Sequence, residues 1–133
     1  MSALYEAIVL ERTKKPRHAG RPAQFDAQGQ GANRLCGDKI SVYLTHEGTV
    51  VQHESEGCAI MVASADLMAD ATFGKTQAEI SQIFESFNHA VTTGAENPAL
   101  GELNALTAVS QFPSRIGCAT LPWRALEEAL QNV

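Results

Sequence analysis

The stretch Lys39-Ile40-Ser41-Val42-Tyr43-Leu44-Thr45-His46-Glu47-Gly48-Thr49-Val50-Val51 decides the fold. Ile40, Val42 and Leu44 alternate with Ser41, Tyr43 and Thr45, the two-residue period of a strand with one buried face. His46-Glu47-Gly48-Thr49 then turns the chain. Val50-Val51 begin a return strand reaching about Glu56, so the segment reads as a β-hairpin. Upstream, Pro16, Gly20 and Pro22 mark a loop that leads through Gln28-Gly29-Gln30-Gly31 into a weak or edge strand. Before that loop, Leu4, Ala7 and Ile8 share one face of a short helix ending around Lys14-Lys15.

Downstream the apolar period changes to 3.6. Ile60, Ala63, Leu67, Met68 and Ala71 line one helical face that ends at Gly74. Thr76-x-x-Glu79 is a capping-box start, followed by the apolar stripe Ile80, Ile83, Phe84, Phe87 and Val91. Gly94 to Pro98 reads as a loop. A shorter helix with Leu103 and Leu106 follows and stops at Phe112-Pro113. A last helix carries Trp123, Leu126 and Leu130 inward, with Glu127 and Glu128 towards solvent. The expected fold class is α+β: a small antiparallel three-stranded sheet packed against several helices, in one domain over residues 1–133.

Of the 133 residues, 44% are hydrophobic and 19% charged, which excludes a disordered chain. The net charge of −5 leaves no basic surplus for phosphates, so neither nucleic acid nor an anionic membrane is an expected partner. Glu6 and Glu11 interrupt any signal-like stretch. The apolar runs Gly57–Ala65 and Asn104–Ser114 fall far short of the roughly 18–20 residues that cross a bilayer. A soluble, cytoplasmic protein is expected. Three cysteines cannot close into a disulfide framework and point to a reducing compartment, where thiols serve metals or chemistry.

Each cysteine stands beside a glycine, in Cys36-Gly37-Asp38, Gly57-Cys58 and Gly117-Cys118. Each is also expected at a junction between elements. Cys36 and Asp38 close the loop before the hairpin, Cys58 starts a helix and so meets its N-terminal dipole, and Cys118 precedes the final helix. Glycine lets the backbone adopt the conformations a ligand loop needs. Three thiolates with one carboxylate suit tetrahedral zinc, or the two irons of a [2Fe–2S] cluster with Asp38 replacing one cysteine. The histidines, His18, His46, His53 and His89, neighbour no cysteine and are expected to be solvated or in the core.

Three ordered motifs carry a family likeness: Asn33-x-x-Cys36-Gly37-Asp38, Gly57-Cys58-Ala59-Ile60 with Ala63-Ser64-Ala65, and Cys118-Ala119-Thr120-Leu121 with Trp123. Together with Leu4-Tyr5 and Pro16-Arg17-x-x-Gly20, the chain resembles the U-type iron–sulfur assembly proteins, the NifU N-terminal and IscU-like family, from near residue 4 to near residue 130. Gly117 occupies the position of the histidine that precedes the third cysteine in scaffold-type members. The segment from Leu100-Gly101-Glu102-Leu103-x-Ala105-Leu106 to Phe112-Pro113-x-Arg115 resembles the SufU subgroup.

That resemblance implies a SufE/NifU-like fold and a zinc site on Cys36, Asp38, Cys58 and Cys118. It implies Cys36 as the acceptor of persulfide sulfur from a SufS-type cysteine desulfurase, with downstream iron–sulfur assembly machinery as the next partner. The alternatives are an IscU-type scaffold building a [2Fe–2S] cluster on the same ligands, and a zinc-stabilised interaction module without sulfur chemistry. Three departures stand out. Arg34 replaces the family's usual proline and Arg12 a frequent histidine, the latter bearing on partner docking. Pro122 replaces an alanine and is expected in the first turn of the last helix.

Overall fold

The computed structural model describes residues 3–133. Helix α1 (Ala3–Lys14) leads into the loop, followed by strands β1 (Ala27–Asn33), β2 (Asp38–Thr45) and β3 (Val50–Glu56), then α2 (Ala59–Thr72) and α3 (Gln77–Thr93). A run of 3-10 turns (Pro98–Gln111) and α4 (Pro113–Gln131) complete the order. The strands form one antiparallel sheet in the order β1-β2-β3. The hairpin turns where expected, with His46, Glu47 and Gly48 all at positive φ.

The sheet buries Ile40, Val42, Leu44 and Val51 against the helices. Strand β1 is weak in β-propensity because its inward positions are Ala27, Gly29 and Gly31, and that is its use. A Cβ on Gly29 would sit 2.0 Å from the Ala125 carbonyl oxygen and 2.6 Å from the Ala129 nitrogen. Helix α4 therefore lies directly on the β1 backbone, an approach only glycine permits. On the opposite face Tyr43 is covered by Phe25, ring centroids 4.9 Å apart, and by Arg21. Residues 18–20 pair with the outer edge of β3 through His53 N–H to the His18 carbonyl and Gly20 N–H to the His53 carbonyl. That pairing closes an otherwise open strand edge.

Several sequence expectations change. Helix α2 is buried on nearly all sides, Met61, Ala63, Ser64, Ala65, Asp66, Leu67, Met68 and Ala69 included, so it is a central helix and not a one-faced surface helix. In α1 Ile8 packs half-buried against the core as expected, joined by Val9 and the buried Tyr5 and Arg12, while Ala7 is exposed; the side chain of Leu4 lies outside the described residues. The segment expected as a short α-helix is 3-10 in character and broken at Gly101 (φ 56°). Its buried Leu100, Leu103, Leu106 and Val109 recur every third residue, the period of a 3-10 helix.

Phe112-Pro113 ends the 3-10 run and also starts α4, since Pro113 suits a helix's first position. Cys118 consequently lies within α4, not before it, and Pro122 lies in the helix interior, not its first turn. There the proline cannot donate the backbone bond to the Cys118 carbonyl four residues earlier. The capping box forms as expected, with Glu79 N–H donating to Thr76 Oγ1 at 3.2 Å and Thr76 N–H to Glu79 Oε1 at 2.9 Å. Trp123 stacks on Phe84 and Phe87, centroids 5.6 and 5.2 Å apart, which joins α3 to α4.

Candidate metal and thiol centre

Asn33 and Asp38 face each other across β1 and β2, so Arg34 to Gly37 form the loop between these strands. Asn33 Oδ1 accepts the Leu35 N–H at 3.1 Å, a local turn that shapes the loop. Gly37 takes φ +69° with open space around it. The loop presents Cys36 half-buried at the surface.

Asp38, the first residue of β2, is buried, with 1% of its surface exposed. Its Oδ1 accepts the Cys58 N–H at 2.8 Å, and Cys58 Sγ lies 3.8 Å from its Oδ2. Register brings Lys39 opposite Glu56, so Asp38 lies beside Gly57. A Cβ at Gly57 would meet Asp38 Oδ1 at 2.2 Å and its Cα at 2.8 Å, and Gly57 itself has φ +150°. Glycine is required there on both counts. Cys58 is the N-cap residue of α2, as expected.

Cys118 reaches the same point from the second turn of α4. Its Sγ is 3.0 Å from Cys36 Sγ and its surface is fully buried. Burial pushes the Cys118 thiol up, and hydrogen bonds with Cys36, Asp38 and Cys58 act in the same direction. The ligand atoms of Cys36, Asp38 and Cys118 all lie within 4.8 Å of one another. Cys58 stands at the margin of this group, against Asp38. Three of the four expected residues thus gather, from the β1–β2 loop, β2 and α4, and Cys58 adjoins them from the β3–α2 junction through Asp38. Three soft sulfurs and one carboxylate fit four-coordinate zinc by donor chemistry. A cation held here would take these sulfurs as thiolates.

Two neighbours had been given no role on sequence grounds. Asn33 Nδ2 lies 3.9 Å from Cys118 Sγ. Arg115, exposed one turn before Cys118, is pushed up by the charges of Cys58, by a hydrogen bond to Cys118, and by the charges of Cys36 and Cys118. It sets a positive charge beside the thiols. Their signal was present: Asn33 precedes Cys36 by three residues, and Arg115 precedes Cys118 by three, one helical turn. Gly117 leaves room for Asn33, whose Nδ2 would be 3.3 Å from a Cβ at that position.

Among the histidines, His53 is buried, and its Nε2 lies 3.0 Å from Asp66 Oδ1. Arg12 is also buried and pairs with Asp66 at 2.9 Å, with Asp70, and with Glu102 at 3.2 Å. Its side chain belongs to the interior, held among three carboxylates. Arg34 is exposed on the Cys36 loop.

A sheet of three antiparallel strands under helices, with thiols and one carboxylate gathered at the sheet's end, defines a class of metal- or sulfur-handling α+β proteins. Residues 4–119 match the NifU-like N-terminal domain family, and the chain belongs to that family of U-type iron–sulfur assembly proteins. It is 37% identical to the iron–sulfur cluster assembly scaffold protein IscU of Streptococcus pyogenes serotype M1, over 99% of this chain and 86% of that one. It is 35% identical to the zinc-dependent sulfurtransferase SufU of Bacillus subtilis, over 98% and 91%. A crystal structure described as a putative iron–sulfur cluster assembly scaffold protein for the SUF system, from Fervidobacterium islandicum, superposes with a TM-score of 0.85 at 29% identity, covering 96% of each chain. Among the described residues no helix is long and apolar enough to cross a membrane.

Proposed function

We propose that this chain acts in iron–sulfur cluster assembly as a zinc-binding sulfur-transfer protein, working as one domain in the cytoplasm with a SufS-type cysteine desulfurase. Cys36, Asp38, Cys58 and Cys118 are the proposed zinc ligands. The observation that carries the reading is the placement of Cys36. It sits on the β1–β2 loop, half-buried, while Asp38 and Cys118 are buried on β2 and α4 and Cys58 caps α2. When bound, zinc keeps the thiols deprotonated and shielded.

Sulfur transfer needs Cys36 out of the ligand set, and the Gly37 loop supplies that freedom. The Cys36 thiolate then attacks the outer sulfur of the donor's persulfide. The donor's S–S bond breaks, its cysteine leaves as a thiolate, and Cys36 carries the persulfide. Arg115 offers positive charge where sulfur anions gather. The next acceptor is the downstream iron–sulfur assembly machinery.

A second reading, a scaffold for a [2Fe–2S] cluster on the same residues, is favoured by the relative named IscU. Gly117 weighs against it, because a scaffold-type histidine is missing there. Metal analysis of aerobically purified protein, followed by desulfurase assays with wild type and Cys36→Ala, separates the readings. The expected result is about one zinc per chain and desulfurase stimulation that Cys36→Ala abolishes. A stable iron–sulfur chromophore without zinc would establish the scaffold instead. Zinc without any effect on a desulfurase would leave a structural metal module.

A further inference from the structure

Cys36 and Cys118 lie 82 residues apart in sequence, yet their Sγ atoms are 3.0 Å apart. The two thiols differ in kind. Cys36 rides on a loop that an outside donor can reach, whereas Cys118 is fully buried on the helix behind it. Cys58 is differently placed, against Asp38 Oδ2 at 3.8 Å. An accessible thiol backed by a buried one in contact is the arrangement of an acceptor and a resolving cysteine.

We propose, resting on the reading of Cys36 as sulfur acceptor, that in the metal-free state Cys118 resolves the Cys36 persulfide and releases its outer sulfur as hydrosulfide. The Cys118 sulfur attacks Cys36 Sγ, the inner sulfur. The Cys36–Cys118 disulfide forms as the persulfide S–S bond breaks, and the departing sulfur takes the bonding pair together with the Cys118 proton. Two electrons pass from the two cysteine sulfurs to the sulfur that leaves, so the step consumes no other reductant. An external dithiol then restores the thiols.

The surroundings suit this step. Asn33 Nδ2, 3.9 Å from Cys118 Sγ, can hold the attacking sulfur in place against Cys36. Closing to a bonded distance takes a shift of about 1 Å, which the Gly37 turn can supply from the Cys36 side. A metal held by Cys118 engages the same sulfur, so metal loading and sulfide release exclude each other. The chain is then a sulfur carrier when loaded and a sulfide source when empty.

The test uses the full chain, stripped with a chelator and loaded with sulfur by inorganic polysulfide, so that it does not depend on any desulfurase. Sulfide is assayed colorimetrically and the cysteine state by intact and peptide mass spectrometry. Circular dichroism checks the fold of every variant. Wild type is expected to release one sulfide for each Cys36 persulfide and to show a Cys36–Cys118 disulfide. Cys118→Ser and Cys118→Ala are expected to hold the persulfide about tenfold longer or more, and zinc-reloaded wild type likewise. Equal release from both Cys118 variants, a disulfide mapping to Cys58, or undiminished release with zinc bound overturns the proposal. Failure of the desulfurase to load Cys36, with polysulfide chemistry proceeding as described, counts against the transfer reading alone.

Discussion

Two buried carboxylates, Asp66 in α2 and Asp38 in β2, meet opposite fates. Asp66 Oδ1 accepts from the His18 N–H at 2.9 Å and His53 Nε2 at 3.0 Å. Its Oδ2 accepts from Arg12 Nη1 and the Arg17 N–H, each at 2.9 Å. Burial opposes its charge, yet His53, the Arg17 N–H, Arg12 and the His18 N–H together hold it well below the usual carboxylate range. Asp38, equally enclosed, has one backbone N–H and otherwise thiols. A buried acid with both oxygens doubly paired belongs to the frame, where it ties α1, the loop and β3 to α2. A buried acid left among thiols is prepared for something the chain does not itself contain.

The largest effect comes from breaking the frame. Asp66→Ala leaves Arg12 and His53 buried without their partner and should lower unfolding free energy by about 3–5 kcal/mol, read by urea denaturation. Acidification tests the same group. Its folded pKa is depressed, so its contribution is complete above the unfolded carboxylate pKa and declines as pH falls below about 4. Thermal melts across pH 2.5–7 should show that decline in wild type, and any Asp66→Ala protein that folds should show less of it.

Gly57→Ala attacks the point where frame and site meet. Its Cβ would collide with Asp38, and the backbone conformation there is one that alanine resists. A stability loss of about 2–3 kcal/mol and a fall in bound zinc, measured by elemental analysis, are expected together. Pro122→Ala acts oppositely: it restores the missing helix bond to the Cys118 carbonyl and should stabilise by about 1–3 kcal/mol in thermal melts. The smallest effect falls on the exposed side of the thiol cluster. Cys36→Ser should change the stability of metal-free protein by no more than about 0.5 kcal/mol while removing sulfur acceptance. A loss as large as that of Asp66→Ala would show that both clusters are structural.

Much of the frame was legible in residue order. The hairpin of β2 and β3 followed from period two and a glycine turn, and α3 from its capping box and stripe. Strand β1 read as weak because its glycines serve α4, a partner nearly a hundred residues away. The 3-10 run escaped because Leu103 and Leu106 alone fit either period; Leu100 and Val109, buried in step with them, complete the three-residue repeat. The Arg12–Asp66–His53 cluster escaped too, although two signs existed. His53 is in phase with the inward Val51, and Asp66 is embedded in an otherwise apolar helix. In the site, Cys36, Asp38 and Cys118 came together with Cys58 beside Asp38, whereas the positions of Arg115 and Asn33 depended on how α4 meets the β1–β2 loop.

The sequence by itself determined the local elements, because periodicity, caps and glycine turns act over a few residues. It also determined which donor types were available, three sulfurs and Asp38. Only the tertiary structure decided that Cys118 sits inside a helix, 3.0 Å from Cys36, and that Arg12 is interior and not surface. Such pairings depend on long-range packing, here α4 against glycines of β1 and α1 against α2, where a few tenths of an ångström decide which side chains meet.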